Sequence, residues 1–194
     1  MDPKQLLEHK NAETILETGW HLFQQKGYRG LSVDQLCLEC GITKPTLYYY
    51  FGDKENLFVE VLQHQLHGFH EMLSRPGSLS ARLEAFARRI FESFETDYNA
   101  LLRDREHIKR LENQLRIREA FHGELFGPLI ALLQEGIDQG ELESSSAEML
   151  SLVFLGIINN FIGRANQDRS QSAALAASLT AIFLNGAKKQ SRGL

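Results

Sequence analysis

The chain has 194 residues, 43% hydrophobic and 24% charged, with a formal net charge of −4, an ordinary globular composition with room for one good-sized domain or a small one joined to a larger. The acidic balance excludes nucleic-acid binding through a broad positive field, and two cysteines are too few for a disulfide framework. The polar start Met1-Asp2-Pro3-Lys4 lacks a secretory core, and the apolar run from Met149 to Ile158, interrupted by Ser151 and Gly156, is too short to span a bilayer, so the expectation is a cytoplasmic protein with no membrane partner.

Nearly every long segment carries helical periodicity. Ile15, Leu16, Leu22 and Phe23 form one stripe, led by Leu6, Leu7 and Ala12, and Lys26-Gly27 supplies a stop. Ser32-Val33-Asp34-Gln35 has the form of a capping box. The helix it opens, 33–40, carries Leu36, Cys37 and Cys40 inward and stops at Gly41. Thr43 caps a third helix, 44–50, where Pro45 is tolerated because first-turn N–H groups lack helical partners anyway. Gly52-Asp53 ends that helix and caps a fourth, 53–74, with the stripe Leu57, Phe58, Val61, Leu62, Leu66, Phe69 and Leu73. Gly68 within it lowers helix stability by about 1 kcal/mol and offers a place to bend. Five more helices are expected at 79–95, 98–113, 116–139, 146–167 and 171–188. Gly140 caps the third of these, and Ser145-Ser146-Ala147-Glu148 is a capping box for the fourth. The fold class is all-α, about nine helices, with a small amino-terminal domain, 1–52, and a larger domain, 53–194, linked by the helix 53–74.

Helices 33–40 and 44–50, joined through Gly41-Ile42-Thr43, have the dimensions of a helix-turn-helix. A helix this short is unstable alone, so Leu47 and Phe51 must dock it against Leu36, Cys40, Ile42 and the first helix. That leaves Tyr48, Tyr49 and Tyr50 around its outer surface. An exposed phenol can donate to a phosphate oxygen while its ring lies on the sugar. The helix amino end adds N–H groups and partial positive charge, and Lys44 and Lys54 add full charges. Lys44, Pro45 and Thr46 stand where a recognition helix meets base edges. The competing reading, packing residues with wet tips, accounts for the rings but not for their place in a capped helix-turn-helix. Residues 1–75 hold seven Lys/Arg against ten Asp/Glu, so binding must rest on this local geometry.

The stretch from Glu13 to Leu62 resembles the DNA-binding region of TetR-family (tetracycline-repressor-like) regulators. The matching elements are Phe-x-x-Lys-Gly-Tyr, Gly-Ile-x-x-x-x-Leu-Tyr-x-Tyr-Phe and Asp-Lys-Glu-x-Leu. "LTAIFLNGAK", residues 179–188, is similar to the last helix of such proteins. The resemblance implies a homodimeric, ligand-responsive repressor that is not an enzyme. It would bind a pseudo-palindromic double-stranded DNA operator and be released by a small-molecule effector. By position, Val33, Lys44, Pro45, Thr46, Tyr48, Tyr49 and Lys54 take the DNA-contacting places. Asp34 departs from a place that is often basic or polar, and Gly52 removes a side chain near the backbone; both imply modest affinity and an unusual operator preference.

Other signals are weaker. Cys37-Leu38-Glu39-Cys40 has redox or zinc spacing but no βαβ unit, second CxxC or His pair beside it, so inert packing is the expectation. His64, His67 and His70 lie opposite the apolar stripe and are expected on a solvated face; no metal or cofactor is expected. The charged run Arg103 to Arg110 reads as an exposed, mutually paired face. For a largely apolar effector, Phe94, Tyr98, Phe121 and Asn160 are the candidate contacts. For a four-helix dimer interface the candidates are Leu152, Leu155, Gly156, Leu175, Leu179, Ile182 and Phe183. The rival reading is a helical carrier or enzyme with a purely structural amino-terminal bundle. No nucleophile–base pairing, glycine-rich phosphate loop or paired carboxylates in an apolar setting speak for it.

Overall fold

Helices account for most of the computed structural model, which describes residues 3–143 and 146–187, with side chains from Ala12 onward. In chain order they are α1 (Pro3–Gly30), α2 (Val33–Cys40), α3 (Lys44–Phe51), α4 (Lys54–Leu66), α5 (Phe69–Ser74), α6 (Leu79–Ser93), α7 (Tyr98–Asp104), α8 (Leu111–Ala120), α9 (Gly127–Asp138), α10 (Ala147–Gln167) and α11 (Ser172–Ala187). Short 3-10 turns follow α7 and α10, and a π-helical stretch, Phe121–Phe126, precedes α9. Among the described residues there is no β-strand, and the class is all-α as expected.

Three of the expected helices are divided. The 53–74 helix breaks between α4 and α5, where Gly68 takes φ 90°, a left-handed conformation open to glycine at little cost. The 98–113 helix stops at Asp104, and its second part begins anew as α8. The 116–139 helix is interrupted by the π-helical stretch just ahead of Pro128. Proline has no N–H and its ring presses on the carbonyl four residues back, so a widened turn relieves the clash. The first helix is broken at Gly27 (φ 68°, ψ 168°), as the stop signal implies, but resumes as far as Gly30. α10 is capped by Ser146, whose Oγ accepts the Met149 N–H at 3.2 Å, one position later than expected. Ser145, like Lys188 at the end of the expected last helix, lies outside the described residues. At 21 residues, α10 is longer than the Met149–Ile158 run and by length and composition alone could cross a membrane, a test that a core helix also passes. Its Phe154, Leu155, Ile158 and Ile162 are buried.

Packing divides the chain into two units. One comprises residues up to Leu66 with Tyr98–Ala120; the other comprises His67–Asp97 with residues from Phe121 onward. This division differs from the expected boundary at 52/53, because α4 buries Leu57, Phe58, Val61 and Leu62 and packs on α1. α7 and α8 join the same unit through α1 and α4. Its core includes Phe23 edge-on to Phe58 at 4.9 Å, with Tyr28 at 5.1 Å from Phe58. The two phenylalanines, fully buried, each contribute about 1.5–3 kcal/mol on burial. In the other unit α6 packs along α11. A succession of rings, Phe69–Phe86–Phe154–Phe183, runs through its core with centroid separations of 5.7, 6.3 and 4.8 Å.

A candidate nucleic-acid interface on α2 and α3

Local chemistry builds the α2–α3 pair. Ser32 Oγ accepts the Gln35 N–H at 3.1 Å, and Gln35 Oε1 accepts the Ser32 N–H at 3.3 Å, the reciprocal pattern of a capping box. Gly41 ends α2 at φ 65° and donates to the carbonyls of Cys37 and Leu38, turning the chain within three residues. Thr43 Oγ1 accepts the Thr46 N–H at 3.4 Å, and the two threonine hydroxyls lie 2.9 Å apart. Leu47 and Phe51 are buried, which anchors α3 as its four-residue spacing requires.

The remaining face of α3 is open. Tyr48 is 44% exposed and Tyr49 74%; Tyr50 is half-buried, edge-on to Tyr49 at 5.3 Å. Lys44 and Pro45 are exposed, and Thr46 and Val33 half-buried. Six of the seven residues expected to contact DNA therefore lie at or around the amino end and outer face of one short helix pair. Lys54 does not join them. Its ammonium donates to the Tyr28 carbonyl and sits 4.4 Å from the Tyr28 ring centroid. Burial pushes its pKa down, opposed by Asp104. Sequence position alone gave no sign of this, because its partner is 26 residues away.

Lys44 is also engaged: its ammonium lies 2.7 Å from Asp34 Oδ1 on α2. The hydrogen bond and charge of Asp34 push the Lys44 pKa up.

The charged run also makes partners far away in the sequence. Asp104 Oδ2 accepts the Tyr28 N–H at 2.8 Å, and the Arg110 guanidinium reaches Asp53 at 2.7 Å and Glu55 at 3.1 Å. Glu55 also accepts the N–H groups of Lys109 and Arg110, at 3.1 and 3.0 Å, and Asn113 Nδ2 at 3.0 Å. Burial pushes the Glu55 carboxyl up, but the donors from Asn113, Arg110 and Lys109 outweigh it and hold it below the usual value. Sequence separations of more than fifty residues hide these pairs from a linear reading.

Cys37 is buried and Cys40 half-buried, both reduced. Burial raises both thiol pKa values; at Cys40 a hydrogen bond with Thr18 opposes it. Among the described residues no group of three His, Cys, Asp or Glu is placed to hold a metal ion. The three histidines are split by the break at Gly68: His64 is half-buried on α4, while His67 and His70 are exposed.

The four residues expected at an effector site are placed as follows. Phe94 and Phe121 are buried in one packing unit, and Tyr98 belongs to the other. Asn160 is exposed and donates to the Gly156 carbonyl at 2.7 Å, so it faces outward from α10. Two buried polar groups went unnoticed in the sequence: Asn166, whose Nδ2 donates to the Phe94 carbonyl at 3.0 Å, and Thr180. Asn166 Oδ1 and Thr180 Oγ1 have no hydrogen-bond partner. A cleft of about 390 Å³ at the α10–α11 connection is lined by Arg164, Asp168, Gln171, Leu175 and Ser178 among others, and by none of the four expected residues.

The proposed dimer face also divides. Leu155, Leu179 and Phe183 are buried in their own unit, so they are core residues. α10 is apolar on nearly all sides, and its inner and outer faces cannot be told apart by periodicity. Leu152 and Ile182 are 65% and 64% exposed, with Gly156 and Leu175 half-buried. Met149 and Val153, not singled out beforehand, are exposed with them.

The chain is similar to known proteins over the helix pair and over the whole fold. Residues 15–61 match the family model "Bacterial regulatory proteins, tetR family". Among curated relatives, the uncharacterized HTH-type transcriptional regulator YuxN of Bacillus subtilis is 44% identical over 55 residues, 28% of this chain and only 19% of that protein's length. The fatty acid metabolism regulator protein of Bacillus subtilis is 21% identical over 181 residues, 89% of this chain and 93% of that one. Among solved structures, Bacillus subtilis FadR in complex with stearoyl-CoA has a TM-score of 0.68 at 20% identity, covering 90% of this chain and 98% of that one. AibR in complex with isovaleryl coenzyme A and operator DNA has a TM-score of 0.68 at 20% identity, covering 89% and 97%.

Proposed function

This chain belongs to the TetR family of bacterial transcriptional regulators, and we propose that it acts in the cytoplasm as a homodimeric repressor of a pseudo-palindromic operator, released by a small-molecule effector. The observation that carries the reading is the open face of α3: two large, exposed phenols, Tyr48 and Tyr49, on a short helix whose amino end is capped and carries an exposed lysine. Val33, Lys44, Pro45, Thr46, Tyr48 and Tyr49 are the proposed contacts, in a domain that functionally spans residues 1–52. Tyrosine hydroxyls and the first-turn N–H groups of α3 would meet phosphates. Lys44 and Pro45 would meet base edges. Lys54 supports the site from behind through Tyr28 rather than touching DNA.

The exposed Met149, Leu152 and Val153 on α10 and Ile182 on α11, with half-buried Gly156 and Leu175 beside them, support a two-fold interface in which both copies supply both helices. The effector is proposed to bury a largely apolar portion within residues 53–194. Since relatives of the same fold were solved with stearoyl-CoA and isovaleryl coenzyme A, acyl-CoA thioesters are the first class to try.

Selection of binding duplexes from a random pool by the purified protein tests the reading. A two-fold symmetric sequence should emerge, and an acyl-CoA panel should include at least one member that both raises the melting temperature and lowers affinity for that sequence. Failure to enrich any sequence, at every salt concentration, would favour a carrier or enzyme with a structural bundle instead.

A further inference from the structure

The two lysines that flank α3 are both engaged inside the protein: Lys54 on Tyr28, and Lys44 on Asp34. The second engagement is of a different kind from the first. Lys54 is partly buried, whereas Asp34 and Lys44 are 76% and 48% exposed. An exposed ion pair contributes little to folding, so stability gives little reason for it. Its position does. The pair bridges the first turns of α2 and α3, the end of the helix-turn-helix that meets DNA in the proposed function, on which this inference rests. There it cancels the ammonium that α3 would otherwise present to the phosphates.

We propose that Asp34 is a positioning residue for DNA recognition: it holds Lys44 away from the phosphate backbone, suppresses sequence-independent binding, and releases it where base-edge acceptors take its place. A phosphate offers the ammonium one charge in exchange for one. Asp34 offsets the Lys44 charge on every duplex alike, whereas a guanine edge with its two acceptors is met only at matching sites and adds discrimination there. The chain's net charge of −4 adds to the same bias against indiscriminate binding.

The test uses the full-length protein, Asp34→Asn, Lys44→Ala and the double variant. Anisotropy with a random-sequence duplex is measured over a salt series, alongside a duplex selected by the wild type. One additional phosphate contact steepens the log–log salt dependence by about 0.9 and tightens binding about eightfold at 0.1 M salt. Asp34→Asn should show that change for each reading unit on the random duplex, with a smaller gain on the selected one. The steepening should vanish when Lys44→Ala is combined with it. An acid in the first turn of α2 also favours the helix dipole, but that role would move the melting temperature and leave the salt slope alone. An unchanged slope in Asp34→Asn, or equal steepening with and without Lys44, overturns the inference while leaving the repressor reading intact. If the wild type binds neither duplex, both fall together.

Discussion

Tyr49 stands 74% exposed on α3 with an edge contact to the Tyr50 ring, so folding draws little from it. Truncating it should therefore separate stability from binding. Tyr49→Ala is expected to change unfolding free energy by no more than about 0.5 kcal/mol, while weakening binding to all DNA sequences. Tyr48→Phe, which removes only a hydroxyl, should weaken all sequences in the same way, and Lys44→Ala should also alter base preference. Melting curves and competition binding read both arms, and wild-type binding by all three variants would refute the assigned contacts. The cysteines mark the opposite case. Burial disfavours the thiolate at Cys37 and Cys40, and the thiolate is the reactive form. Mild peroxide should leave DNA binding unchanged in both wild type and the Cys37→Ala/Cys40→Ala variant. An oxidant response in the wild type that the variant lacks would restore a redox role. Their place on α2 was legible as CxxC; the burial that disfavours their thiolates is supplied only by packing.

Caps and breaks decide the elements. Ser32, Thr43 and Gly41 stand where the sequence puts them because capping is a contact between residues three or four apart. Gly68 was legible as a weak point in a long helix, and the tertiary structure turned it into a full break. The Glu55 network belongs at this scale, since it ties the start of α4 to the start of α8. Its folded pKa lies below the ordinary 4.5. Its hydrogen bonds therefore contribute stability that is fully present above that ordinary value, and this is lost as pH falls through the lower folded pKa. Glu55→Gln should lower stability by about 1–3 kcal/mol at neutral pH and flatten the acid limb below pH 4.5. Thermal melts over a pH series check this; an unchanged acid limb would show that Glu55 is not held in its ionised form.

Assembly is decided at the scale of the whole molecule. Leu152 is exposed on α10 while its neighbour Leu155 is 1% exposed, so the two make a paired test. Leu152→Arg should yield a folded monomer that binds half-site DNA weakly, since it removes a surface contact only. Leu155→Ala should cost about 2–5 kcal/mol of stability through a core cavity whether or not a dimer forms. Sedimentation and melting distinguish the two, and a dimer that survives Leu152→Arg would place the interface elsewhere. In the dimer, half-site centres should lie about 34–36 Å apart or a multiple of it. Effector and operator should weaken one another by the same factor, typically about 1–3 kcal/mol of coupling.

By itself the sequence determined the helical class, the helix-turn-helix, its caps and the collar of tyrosines, because each depends on residues within a turn or two of one another. Only the tertiary structure decided that Lys54 turns inward to Tyr28, that Asn160 faces outward, that Leu155, Leu179 and Phe183 are core, and that Tyr98–Ala120 packs with the amino-terminal helices. The reason is physical. Periodicity says that a helix has an apolar face but not what covers it, and a charge in the sequence says nothing of a partner fifty residues away until the chain has folded between them.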